Sequence, residues 1–207
     1  GDQKYYTEYK QYWEQLEKIE LNDNMPIDYI NGLSGMAVLL ETLYCEEYDH
    51  VLLRLAKRYT DYCVGHLDEL KLTGLAHGYS GIILAVAGCY GICKEERYYK
   101  DAIKIISMEN EYYDTDKKNW KDLRKGVGDN DPVYWCHGAT GICLTRIKAY
   151  ELLNNELCKG DMEKCIKKSV QEMMKLKEHS LCHGMFGNID CLISVVDAAV
   201  YDDNDLN

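Results

Sequence analysis

Three short stretches place a thiol or an imidazole directly ahead of a glycine: His77-Gly78, Cys136-His137-Gly138 and Cys182-His183-Gly184. A fourth, Asn31-Gly32, carries Asn31 at that place and Asp28 one helical turn earlier. Thiolate and imidazole are the ligands Zn²⁺ prefers, so zinc is the natural cation for such a set. Adjacent side chains such as Cys182 and His183 point apart along a helix, and both reach one ion only if they lie on a turn. Cys136 adds a third donor from the preceding stretch. Three protein ligands leave one position open, as in catalytic rather than structural zinc sites. A Cys136–His137 nucleophile pair is disfavoured, because sequence neighbours rarely achieve the geometry needed. Ser80 is not in a G-x-S-x-G setting, so a serine hydrolase is not supported. Cys89 and Cys93, helically spaced in an apolar run, and Cys143 and Cys191 read as small core residues.

The donors recur because the chain repeats. Gly32-Leu-Ser-Gly35, Gly78-Tyr-Ser-Gly81, Gly138-Ala-Thr-Gly141 and Gly184-Met-Phe-Gly187 each feed an apolar segment of helical rather than strand length. Between them lie amphipathic segments. In 48–70, Val51, Leu52, Leu55, Ala56 and Tyr59 step by three and four, while Arg54, Lys57, Arg58 and Asp61 take the other face. The same stepping appears over 161–176, and more weakly over 5–19 and 96–106. A helix apolar nearly all round must be covered on most sides, whereas an amphipathic one faces water. The arrangement that satisfies both is an inner ring of apolar helices wrapped by an outer ring, although periodicity also allows a plain helical solenoid. Glycine at the start of each inner helix lets backbone turn sharply and leaves amide N–H groups aimed at a central space. The exception is the polar stretch 109–135, a long connection with a short helix expected around Trp120–Lys125.

The chain has 207 residues, 46% of them hydrophobic, which suits one domain over 1–207 with a real core. Its net charge of −11 argues against binding to nucleic acid or an anionic membrane surface, which want clustered Lys and Arg. Residues 72–93 lack Asp, Glu, Lys and Arg, but five glycines and His77 interrupt them, which points to a buried core helix rather than a membrane span. The start, GDQKYYTEYK, shows no apolar signal segment, and the ten cysteines are scattered through apolar runs. They read as reduced thiols of a cytoplasmic protein.

The set D-Y-I-N-G-L-S-G (28–35), A-H-G-Y-S-G (76–81), W-C-H-G-A-T-G (135–141) and L-C-H-G-M-F-G-N (181–188) resembles the lanthionine synthetase C-like family, the cyclases of lanthipeptide biosynthesis. The W-C-H-G form looks most like the cyclase domain of bifunctional class II synthetases, and N-W-K-D-L-R (119–124) looks like a stretch ahead of W-C-H-G in such domains. The resemblance implies an all-α, α/α-toroid fold with Zn²⁺ held by Cys136, Cys182 and His183. It places the catalytic histidine on His77 and its aspartate on Asp28. The implied reaction is Michael addition of a peptide cysteine thiol to dehydroalanine or dehydrobutyrine, so the implied partner is a dehydrated precursor peptide. His137 follows a ligand and is a candidate for the same proton transfer, or for a hydrogen bond behind the metal.

Two departures stand out. The family's ring holds seven helical hairpins, and about four are legible here, so a second chain or further sequence is expected to complete the ring. Some members carry an arginine just before W-C, where this chain has Asp131-Pro132-Val133-Tyr134, which leaves Arg124 as the candidate substitute. The competing readings are a non-catalytic, zinc-containing peptide-binding or assembly module, and another zinc α/α toroid such as a prenyltransferase subunit.

Overall fold

A computed structural model describes residues 3–198. Eight α-helices alternate between two layers: α1 (Gln3–Lys18), α2 (Leu33–Glu47), α3 (His50–Gly65), α4 (Tyr79–Cys93), α5 (Glu96–Asn110), α6 (Ala139–Leu153), α7 (Glu156–Met173) and α8 (Met185–Asp197). The even-numbered helices form the inner layer, where α2, α4, α6 and α8 pack in sequence order. The outer layer is built from α1, α3, α5 and α7, with α3, α5 and α7 each lying against the inner helix that precedes it in sequence. The chain is therefore an arc of an α/α toroid. Chemistry explains the layering: α4 (YSGIILAVAGCYGIC) has no charged residue and buries most of its length, whereas α3 buries Leu52, Leu55, Ala56, Tyr59 and Cys63 and turns its charges outward.

The inner helices α2, α4 and α6 each reverse into their outer partner by the same two-residue device. Tyr48, Lys94 and Asn154 adopt left-handed backbone with φ of 56°, 54° and 48°, and their N–H groups donate to the carbonyls of Tyr44, Tyr90 and Tyr150 at 2.8, 2.9 and 2.8 Å. The next residue, Asp49, Glu95 or Asn155, is the N-cap of the outer helix. The Asp49 and Asn155 side chains accept from the amides of Val51 and Leu157, both at 2.9 Å, and satisfy one of the orphan donors there. Each outer-to-inner passage, in contrast, runs through a longer glycine turn.

The polar stretch departs from expectation. No helix forms around Trp120–Lys125; β1 (Tyr113–Asp114) pairs antiparallel with β2 (Asn119–Trp120). Trp120 is fully buried, and its indole N–H donates to Asn110 Oδ1 at 2.9 Å, which ties the hairpin to the end of α5 and overrides the local helical pattern. Below it lies a fully buried ionic network. Arg146 of α6 donates to Glu109 of α5 at 2.8 Å and to Asp161 of α7 at 3.1 Å. Glu109 also accepts from the Gly74 amide at 2.8 Å and the Ser80 hydroxyl at 2.7 Å, so one carboxylate joins the second turn to the outer layer. The run 72–93 divides into a turn and the 15-residue α4, and among the described residues no helix is long and apolar enough to cross a membrane.

Candidate metal centre and proton-transfer pair

All four glycine turns sit at one end of the arc, at the N-termini of α2, α4, α6 and α8. The second glycine of each has no room for a side chain. A Cβ on Gly35, Gly81, Gly141 or Gly187 would press on the carbonyl oxygen six residues earlier, that of Tyr29, Leu75, Trp135 or Leu181. The same glycines let neighbouring turns nest. A Cβ on Gly81, Gly141 and Gly187 would also lie 2.6, 3.0 and 3.1 Å from the Cβ of Tyr29, Leu75 and Trp135 in the preceding turn.

A chain of hydrogen bonds fixes the register between turns. The Ile30 amide donates to Ala76 O at 3.2 Å, and the Ala76 amide to Cys136 O at 3.1 Å. At the next junction the Cys136 thiol donates to Cys182 O at 3.5 Å. Ile30, Ala76, Cys136 and Cys182 all stand two residues before the first glycine. The third turn alone is rebuilt: Gly138 has φ of +84°, where a Cβ would strike Pro132 O, and Tyr134 N donates to His137 O at 2.9 Å.

This register gathers the sulfur and imidazole donors. Ligand atoms of Cys136, Cys182 and His183 all lie within 4.8 Å of one another, and Cys182 Sγ is 3.9 Å from His183 Nε2. Tetrahedral zinc with ordinary ligand bonds separates its donors by about 3.5–3.8 Å, so the set needs only a small contraction to close on an ion. Accessibility is graded: Cys136 is buried, Cys182 half-buried and His183 exposed, which leaves one side of the cluster open. Burial pushes the Cys136 thiol up to about 12, with the neighbouring Cys182 sulfur adding to the rise and the Arg124 charge opposing it. A cation is the agent that would take such a thiol to thiolate at neutral pH.

The second group lies at the same end. His77 Nδ1 is 3.2 Å from Asp28 Oδ2, and Asp28 Oδ1 accepts from the Asn31 amide at 2.7 Å. One oxygen thus holds the turn and the other holds the imidazole. His137 packs beside His77 with ring centroids 6.1 Å apart. It is 6% exposed, and burial followed by the Arg124 charge lowers it to about 4, so it is neutral at pH 7. The three expected ligands are therefore brought together, as are His77 and Asp28, and His137 joins the latter pair.

Residues assigned no role from the sequence support these groups. Tyr134 stands edge-on to the His183 ring at 5.6 Å, and Ser180 Oγ accepts from the His183 amide at 3.3 Å. Both occupy the place of Asp28, four residues before the first glycine, and that register was the available signal. Asn188 is buried; it donates to Val133 O at 2.8 Å and accepts from Thr140 Oγ1 at 2.8 Å, which locks α8 to the third turn. Asp122, its side chain 1% exposed, grips Arg124 through two bonds of 2.9 and 2.7 Å. Burial alone would raise that carboxyl, but Arg124 and Asn130 bring it to about 2.

The sequence profile described as Lanthionine synthetase C-like protein matches residues 1–199. The chain belongs to this family. A relative from Lactococcus lactis subsp. lactis, the lacticin 481/lactococcin biosynthesis protein LcnDR2, is 31% identical over 179 residues, covering 78% of this chain and 18% of the relative. Among solved structures, nisin cyclase superposes with a TM-score of 0.67 at 21% identity, over 87% of this chain and 54% of that one. A GH76 α-mannanase from Bacteroides thetaiotaomicron superposes with a TM-score of 0.60 at 14% identity, over 82% and 52% of the two chains. The mannanase shares the helical layering alone. The chain thus spans about half of these solved neighbours and about a fifth of the curated relative.

Proposed function

We propose that this lanthionine synthetase C-like chain carries the catalytic face of a lanthipeptide cyclase, acting in the cytoplasm on a dehydrated precursor peptide. The reaction adds a peptide cysteine thiol across the alkene of dehydroalanine or dehydrobutyrine: a C–S bond forms, the alkene π bond breaks, and the thiol proton ends on the α-carbon. The observation that carries the proposal is the placing of the Cys136–Cys182–His183 cluster and the His77–Asp28 pair at one end of the arc. The relatives named for nisin cyclisation and lacticin 481/lactococcin biosynthesis point to the same substrate class.

Cys136, Cys182 and His183 would hold Zn²⁺, which when bound lowers a thiol's pKa while leaving the sulfur nucleophilic. Tyr134 and Ser180 keep the His183 ring and backbone in place for that role. Asp28 accepts from His77 Nδ1–H, which fixes the tautomer and leaves Nε2 free to take the thiol proton or return one to the α-carbon of the enolate. Neutral His137, beside His77, is a second acceptor within the same space.

The test is an assay of the purified chain with a dehydrated peptide. Cyclisation is an isomerisation, so mass is unchanged and the readout is loss of a thiol available for alkylation. A chain that holds about one zinc but leaves every thiol alkylatable would instead be a peptide-binding module.

A further inference from the structure

A cavity of about 420 Å³ lies on the inner layer near the C-terminal ends of α2, α4 and α6, opposite the glycine turns. Val38, Leu84, Ile92 and Leu152 give it apolar walls, and Glu41 stands among them. Glu41 is 5% exposed, and among the described residues its Oε1 has no hydrogen-bond partner. A carboxyl left so is costly, because burial removes its water and contacts with Cys89 offset only part of that loss. Burial also pushes this group well above the usual carboxylate range.

The helices around it are shaped to keep the carboxyl there. A Cβ on Gly88 would overlap Glu41 Oε2, so α4 gives up a side chain at that point. Gly91, one turn on, would press its Cβ to 2.6 Å from Leu152 Cδ2. Glycine inside a helix is destabilising, and two in four residues clear the floor of the cavity at the expense of helix stability. The other titratable groups nearby are Cys45 and Glu46 of α2, Cys89 of α4 and Lys148 of α6. Lys148 pairs with Glu151 at 3.0 Å, and the Cys89 thiol donates to Thr60 Oγ1 at 3.5 Å.

An apolar cavity with one buried, incompletely paired acid calls for a ligand with one positive charge on an apolar body. We infer that this cavity binds a primary ammonium carried on a short alkyl stem, with its nitrogen on Glu41 and its stem against Val38, Leu84, Ile92 and Leu152. Such a ligand stabilises the ionised carboxylate, so binding releases one proton to solvent. A free alkylamine and a lysine side chain share this chemistry.

Calorimetric titration of the 207-residue protein with n-pentylammonium, N-acetyl-lysine methylamide and n-pentanol, in two buffers of different ionisation enthalpy, tests the inference. At least one of the two ammonium probes should bind saturably with release of about one proton, and pentanol should bind roughly tenfold or more weakly. Which ammonium binds better assigns the source. Glu41→Gln should keep the fold by circular dichroism and lose the preference for ammonium. Equal binding of pentanol, binding by neither ammonium, or an undiminished preference in Glu41→Gln would each overturn the inference. If that variant does not fold, the contrast between ammonium and alcohol on the unaltered protein decides alone.

Discussion

Trp135 rests its Cβ against the place where Gly187 has no side chain, so the turn bearing Cys136 nests on the helix that follows Cys182 and His183. A Cβ on Gly187 would lie 3.1 Å from Trp135 Cβ and would overlap Leu181 O. Gly187→Ala should therefore push the fourth turn away from the third. Overpacking of this kind costs about 1–3 kcal/mol, which in a domain of this size lowers Tm by roughly 2–4 °C per kcal/mol. Thermal unfolding and zinc content, measured together, check it: both should fall, and an unchanged value of either would show that the nesting does not position the cluster.

Zinc retention should follow particular sulfurs and not thiol content in general. Cys182→Ala removes one of the three gathered donors, and zinc in the purified protein should drop from about one per chain to near zero by atomic absorption. Cys45→Ala removes an exposed thiol outside the cluster, and metal content should not change. Loss of zinc in both variants, or in neither, would refute the ligand assignment.

Proton transfer should separate from metal binding. His77→Ala leaves the sulfur cluster intact, so zinc should stay while cyclisation slows by about 10²–10⁴, the usual weight of a general acid–base group. Asp28→Asn keeps the turn's acceptor for the Asn31 amide but removes the charge facing His77, and a smaller loss is expected. A His77→Ala variant that cyclises at the normal rate would remove this residue from the mechanism.

The layering of inner and outer helices was legible because burial sets it: an uncharged segment such as α4 has nowhere to lie except inside. The grouping of Cys136, Cys182 and His183 was legible because they share a register, one and two residues ahead of a glycine. What escaped was held by tertiary contacts. The short helix expected around Trp120–Lys125 does not form, because burial of the indole on Asn110 holds Asn119–Trp120 as one strand of a hairpin. Asn188 reads as one more polar residue after a glycine, and only α8 packed on the third turn shows it bonded to Val133 and Thr140. Tyr44, Tyr90 and Tyr150 were visible at the same offsets as the glycines, but their carbonyl role depends on the left-handed residue four positions on.

His137 makes stability depend on pH, and the sign follows from its burial. In the unfolded chain an imidazole titrates near 6.5, whereas burial and the Arg124 charge hold the folded group at about 4. Above about 6.5 both states are neutral there and the stability is fully present. Between 6.5 and 4 the unfolded chain takes up a proton that the folded chain refuses, so stability falls as the solution is acidified. The slope approaches 1.4 kcal/mol per pH unit for one proton, and the loss over the window is on the order of 2–3 kcal/mol. Asp122, held at about 2, adds a further loss only below about pH 4, where the unfolded carboxylate begins to protonate. Denaturant melts of chelator-treated protein at pH 7, 6 and 5 should show the first decline, and His137→Gln should flatten it across that range. A wild-type stability that is level from pH 7 to 5 would mean that the His137 ring meets more water than its 6% exposure implies.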